Sequence, residues 1–199
     1  MQKDKLIRLI KDYPYDDTNK AMTLLFLQNH DNFWSRNNLY GQITASCWVI
    51  NKSKHMALMT HHKKLNKWFQ LGGHIEAEDK DIYTASQREL EEESGLRSCK
   101  ILSTDIFDID VHKIPSKKGV LEHFHFDIRI LFEADDTETI SFDTNESMLV
   151  QWMKLDEIEK VSQEESIARM INKTKALQCS QEIKNEIQRH CWSNNCIKE

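Results

Sequence analysis

Between Arg88 and Gly95 the chain reads RELEEESG, so that Glu89, Glu91, Glu92 and Glu93 crowd one short segment with acid. Like charges about 4 Å apart repel by roughly 4 kcal/mol at an effective dielectric near 20, and partial burial adds to that cost. Such a segment is stable either as a solvated acidic face or as a socket for cations. Oxygen-only, carboxylate-rich ligation is what Mg²⁺ prefers, with Mn²⁺ as a substitute, and these hard ions usually bring waters and substrate phosphates with them. The helical wheel decides between the two readings. Turning about 100° per residue from Ile82, the small or apolar Ala85, Ser86 and Leu90 fall within about 80° of it. Glu89 and Glu93 come within about 20° and Glu92 within about 80°, while Glu91 points away. Three of the acids are therefore expected to continue the buried face.

A helix carrying that face needs ends. Asp79 or Asp81 can cap its start, and Gly95 suits the left-handed residue just past its end. On the N-terminal side, DKLIRLIKDY and DTNKAMTLLFLQNH read as helices, the second opened by Asp17 or Thr18. ITASCWVIN and HMALMTHH read as neighbouring strands, and CKILSTDIFDIDVH, EHFHFDIRILFEA and LVQWMKL as further strands. KIPSKKGVL, with its proline and glycine, lets two of these pair as a long antiparallel hairpin. Beyond Leu155 the pattern turns helical, with Ser162 and Glu165 in capping-box spacing. The order of helices, strands, one central helix, strands and helices predicts an α/β fold with a mixed sheet. We divide it into an N-terminal helical extension, 1–38, a central domain, 39–160, and a C-terminal helical extension, 161–199.

Composition narrows the function. The 199 residues, 39% hydrophobic with five tryptophans, can build a core. A formal net charge of −5 disfavours non-specific nucleic-acid binding, so an anionic substrate needs a local cationic feature. HHKK at 61–64 could supply it, although such a run usually marks a hairpin tip. No apolar stretch approaches the roughly 18 residues of a membrane span, and the polar start is unlike a secretory signal. Five cysteines without a C-x-x-C pair fit a reducing, cytoplasmic compartment; Cys191 and Cys196 could pair or bind metal, but read more simply as thiols in a tail.

Gly73, Glu76, Arg88, Glu89, Leu90, Glu92, Glu93, Gly95 and Leu96 together resemble the signature box of the Nudix hydrolases, G-x5-E-x7-R-E-U-x-E-E-x-G-U with U aliphatic. RELEEESGL matches in full. Upstream, Asp79 stands where the family has its first box glutamate, Glu78 replaces a usual glycine, and eight residues rather than seven precede Arg88. ITASCWV, HHKKLNKWFQLGGH and EHFHFDIR extend the resemblance, toward a bacterial subgroup with a GGH opening, over about residues 40–160. It implies a Nudix-like α/β/α sandwich that hydrolyses a pyrophosphate bond in a nucleoside diphosphate linked to another moiety. It also implies that Glu89, Glu92, Glu93 and the Gly73 carbonyl bind the metal, while Arg88 orients the acids through a salt bridge with Glu76. Glu89 is the first candidate general base and Glu146 the second, with an exposed loop acid as the competing reading of Glu146. Alternatives from other classes are a catalytically silent Nudix-type nucleotide-binding or sensor module, and an interaction domain whose terminal helices form a homodimer.

Specificity is expected from the strands. Asp108, Asp110 and His112 alternate with apolar residues, as do His123, His125, Asp127 and Arg129. Antiparallel pairing would bring His112 close to His123 on one polar face. Solvent-facing polar residues, a substrate-phosphate or base pocket formed by His123, His125 and Arg129, and a transition-metal site all remain open there. His74, directly after the glycine pair, is a further substrate-binding candidate.

Overall fold

The computed structural model describes residues 2–15, 18–117, 119–145 and 147–195, without the side chains of 181 and 184–195. Two helices, α1 (Lys3–Asp12) and α2 (Thr18–Asn29), precede an eleven-residue strand, β1 (Gly41–Asn51), that is buried along its whole length. Asp17, one candidate cap of α2, lies outside the described residues. Next come β2 (Met56–His62), β3 (Lys67–Phe69) and β4 (Leu71–His74). The acidic helix α3 (Ile82–Ser94) follows, then β5 (Lys100–Ile101), β6 (Asp108–Ile114), β7 (His123–Ala134) and β8 (Ser147–Lys154). Two helices, α4 (Leu155–Val161) and α5 (Glu165–Asn195), close the described chain.

The sheet is mixed and has eight strands. β1 runs parallel to β7 from Gly41 opposite Phe124 to Asn51 opposite Ala134, a crossover that needs the intervening helix α3. Its other edge is shared by two antiparallel partners. β4 takes residues 44–47, and β2 meets β1 only at Ile50 opposite Ala57. β2 then continues against β3 and β8, while β7 carries β5 and β6. The segment CKILSTDIFDIDVH, expected as one strand, is divided into β5 and β6 by a loop.

Alternation along β1 sorts the core into two layers. Ile43, Ala45, Cys47 and Val49 join Ile128 and Ile130 of β7 under α1, α2 and α3, which contribute Leu6, Ile10, Phe26, Leu27, Ile82, Ala85 and Leu90. Trp48 and Ile50 face the other way, where Leu155 and Ile158 of α4 and Ile167, Met170 and Ile171 of α5 cover them. Trp48 Nε1 donates to Thr174 Oγ1 of α5 at 2.9 Å, satisfying the buried indole. This is an α/β/α sandwich. Toward its other end this layer turns polar: Gln42, Thr44 and Ser46 continue the Trp48 face of β1, and His125, Asp127 and Arg129 lie beside them on β7.

Candidate active site

Asp81 starts α3 in a reciprocal capping box with Thr84, and Gly95 ends it at φ 72°. Ile82, Ala85, Ser86 and Leu90 are buried as the wheel requires. Glu89 follows them inward, with its side chain 13% exposed. Glu92, at the edge of the predicted face, does not: its side chain is 61% exposed and leans back to Arg88, one turn earlier. Expected burial of three acids thus holds for Glu89 and, partly, for Glu93.

Gly73 makes room for one carboxylate, and the Gly72 amide binds a second. A Cβ on Gly73 would lie 2.6 Å from Glu89 Oε2, so the glutamate occupies the space a side chain would need. The neighbouring Gly72 (φ 144°) would drive a Cβ to 2.4 Å from Ser46 Oγ, and its amide donates to Glu93 Oε2 at 3.0 Å. Helix α3 and strand β4 therefore meet through acid against glycine.

Arg88 organises the cluster. Its Nη1 donates to Glu89 Oε1 at 2.9 Å and to Glu92 Oε2 at 3.0 Å. Its Nε and Nη2 grip both oxygens of Asp79 at 3.2 and 2.9 Å, and Nη2 also reaches the His74 carbonyl at 2.9 Å. The expected Glu76–Arg88 salt bridge is corrected here. Asp79, at the box position of the family's first glutamate, is the buried acid that takes Arg88, while the exposed Glu76 carboxylate pairs with Arg36 at 3.1 Å. The extra residue before Arg88 falls in the loop between Asp79 and the helix start. Asp79 Oδ2 also accepts the Glu76 amide at 2.8 Å, closing that loop. Burial pushes the Asp79 carboxyl up, but the hydrogen bonds from Arg88 and the Glu76 amide win and hold it below its ordinary value. For Glu89 burial wins: its carboxyl is raised despite the Arg88 contact.

Oxygen donors alone line this corner, which fits a hard divalent ion chemically. Among the described residues, no three acidic, histidine or cysteine side chains stand close enough together to hold one as they lie. Glu92 would have to exchange Arg88 for the ion.

Comparison with known proteins agrees with the geometry. The NUDIX domain family matches residues 41–173, well over half of the chain. The chain belongs to the Nudix family. Membership makes it a Nudix-type pyrophosphohydrolase, in a family that generally hydrolyses nucleoside diphosphate derivatives with a divalent metal. No curated protein matches the chain in sequence. Among solved structures, an Ap4A hydrolase of C. elegans in a binary complex superposes with a TM-score of 0.56 at 16% identity, over 69% of this chain and 98% of that one. A MutT protein from Methanosarcina mazei Go1 gives 0.51 at 16% identity, over 69% and 94%. At such identities these two likenesses speak for the fold alone.

The other predicted site residues of this Nudix domain divide sharply. Gly73 faces α3 and His74 the opposite side, where its ring lies 5.1 Å from that of His125. β6 and β7 pair antiparallel as expected, with His112 directly opposite His125 and His123 opposite Ile114. The hairpin closes early through the isolated Lys117–Val120 bridge. His123 still joins the group, its ring 5.2 Å from His125. Burial first, then neighbouring charge, lowers His125 to about 3 and His74 to about 4, so both imidazoles are neutral near pH 7. Neutral rings donate or accept hydrogen bonds but bring no cation to a phosphate, and as they lie they do not make a transition-metal site.

Arg129 is corrected outright. At 2% exposure, its guanidinium is held among Asp127 at 2.8 Å, Asp108 at 3.2 Å and Asp110 at 3.5 Å, away from solvent, rather than presented to a substrate. Lys173 and Arg169 of α5 reach the same Asp108 at 2.7 and 2.8 Å, and the Tyr13 hydroxyl donates to it at 3.3 Å. HHKK sits at the β2–β3 turn, with Lys63 donating to the Thr144 carbonyl. Glu146, Cys196 and the side chain of Cys191 lie outside the described residues. The sequence reading did not name Arg36, and it missed the pairing of Asp79 with Arg88 and of Arg129 with Asp108, Asp110 and Asp127. The family pattern marked Asp79, and the i, i+4 spacing of Arg169 and Lys173 marked one face of α5. Nothing in the sequence tied Arg36 to the glycine loop.

Proposed function

We propose that this Nudix enzyme hydrolyses, with Mg²⁺ or Mn²⁺, the pyrophosphate bond of a nucleoside diphosphate linked to another moiety, in the cytoplasm. Glu89, Glu92, Glu93 and the Gly73 carbonyl would hold the ion, which when bound supplies charge neutralisation at the diphosphate oxygens and a more acidic water. The observation that carries this reading is the placement of Glu89 and Glu93 against Gly73 and Gly72, with oxygen donors gathered where no side chain intervenes. Arg88 fixes the rotamers of Glu89 and Glu92 from the side, and Asp79 fixes Arg88. Glu89, whose carboxyl is raised above its ordinary value by burial, is the first candidate to accept a proton from the attacking water. Glu146 is kept as the second candidate base. His74, His123 and His125 are proposed to contact the substrate's uncharged part through hydrogen bonds from their rings.

A panel of ADP-ribose, dinucleoside polyphosphates, nucleoside triphosphates, coenzyme A and sugar nucleotides, assayed with Mg²⁺ and with Mn²⁺, tests the proposal. Phosphate released after phosphatase treatment should appear with at least one compound and vanish with chelator. Silence across the panel with both ions would leave nucleotide binding without catalysis as the better reading.

A further inference from the structure

If the diphosphate lies beside the glycine loop, it needs a cation, and the two arginines nearest the sequence motifs are committed elsewhere. Arg88 is shared by Asp79, Glu89 and Glu92, and Arg129 is locked among three aspartates. Arg36, on the loop between α2 and β1, is different. Its side chain is 65% exposed and its ion pair among the described residues, to Glu76, is with a carboxylate itself 48% exposed. Glu76 lies three residues beyond Gly73, so its Cα stands within about 11 Å of the Gly73 Cα, and its carboxylate holds Arg36 beside the loop that follows the glycine pair.

The loop that carries Arg36 is held in place. Phe33 accepts the Ile43 amide at 2.7 Å, the Asn38 side chain accepts the Tyr40 amide at 3.1 Å, and the buried Gln42 donates to the Arg36 carbonyl at 3.4 Å. A fixed backbone with a solvent-exposed guanidinium is what a bidentate phosphate contact requires. An exposed ion pair of this kind contributes little to folding, so exchanging Glu76 for a phosphate is cheap.

We propose that Arg36 is a substrate-binding residue for the diphosphate and that Glu76 competes with the substrate for it. The segment before the strands thereby supplies part of the site, with Glu76 tuning affinity. This inference rests on the catalytic reading above.

Calorimetric titration with inorganic pyrophosphate and Mg²⁺ separates the two. Arg36→Ala should weaken binding about tenfold, as loss of a charge-assisted hydrogen bond does, with Arg36→Lys in between. Glu76→Gln should strengthen binding several-fold, a direction that a merely structural pair would not produce. Thermal unfolding of all three variants should match the parent. Wild-type affinity in Arg36→Ala, or weakened binding in Glu76→Gln, overturns the role of Arg36 and leaves the metal site standing. Absence of Mg²⁺-dependent pyrophosphate binding by the parent protein overturns the catalytic reading and this inference together.

Discussion

Two carboxylate clusters occupy opposite layers of this molecule and solve their repulsion differently. On the α5 side, Asp108, Asp110 and Asp127 are matched three for three by Arg129, Arg169 and Lys173. Asp127 also accepts hydrogen bonds from Thr44 and Ser46 at 2.9 and 2.8 Å. On the α3 side, Asp79, Glu89 and Glu92 share the single guanidinium of Arg88. Balanced and buried, the first cluster is structural. Under-neutralised and open at Glu92, the second retains an appetite for positive charge. Acid density in a sequence does not distinguish them; the count of cations within reach does.

The largest effect should come from the balanced cluster. Asp108→Ala leaves Arg129 and Lys173 without a central anion and should cost about 3–5 kcal/mol of stability, seen as a lowered denaturant midpoint. In the open cluster, Glu92→Gln or Glu93→Gln should reduce kcat by about 10²–10³ while that midpoint stays put. Unchanged turnover in both would move the metal elsewhere. Gly73→Ala places a methyl where the Glu89 carboxylate lies and should cost up to about 10² in kcat, detectable in the same assay. Smallest of the four, Asp79→Asn loosens Arg88 rather than touching the substrate. It should lower turnover about tenfold and weaken Mn²⁺ binding measured by electron paramagnetic resonance. A normal Asp79→Asn enzyme would mean that Arg88 is held well enough by Glu89 and Glu92 alone.

The sequence made α3 legible because local signals agree there: helical spacing of Ile82, Ala85 and Leu90, a capping acid, a terminal glycine and a complete RELEEESGL box. Secondary structure elsewhere was legible through alternation, and with it the layered fold. Pair choices over distance were not. Arg129 looked like a substrate contact because it alternates with apolar neighbours, and only the pairing of β6 with β7, which sets Asp108 and Asp110 around it beside Asp127, shows that its donors are engaged. Glu76 and Asp79 are three residues apart on one loop, and which of them faces Arg88 depends on the fold of that loop, closed by the Glu76 amide on Asp79. Register across β6 and β7 depended on where the connection closes, which proline and glycine alone did not specify.

Asp108 also bears on how far the protein can be trimmed. Tyr13, near one end of the chain, and Arg169 and Lys173, near the other, converge on this one side chain in the middle of the sequence. A shortened version stopping at residue 160 would keep the buried anion but discard two of its three counter-charges. The ends are a buckle rather than trailing straps, and unfastening one should be felt by the strand that carries the histidines.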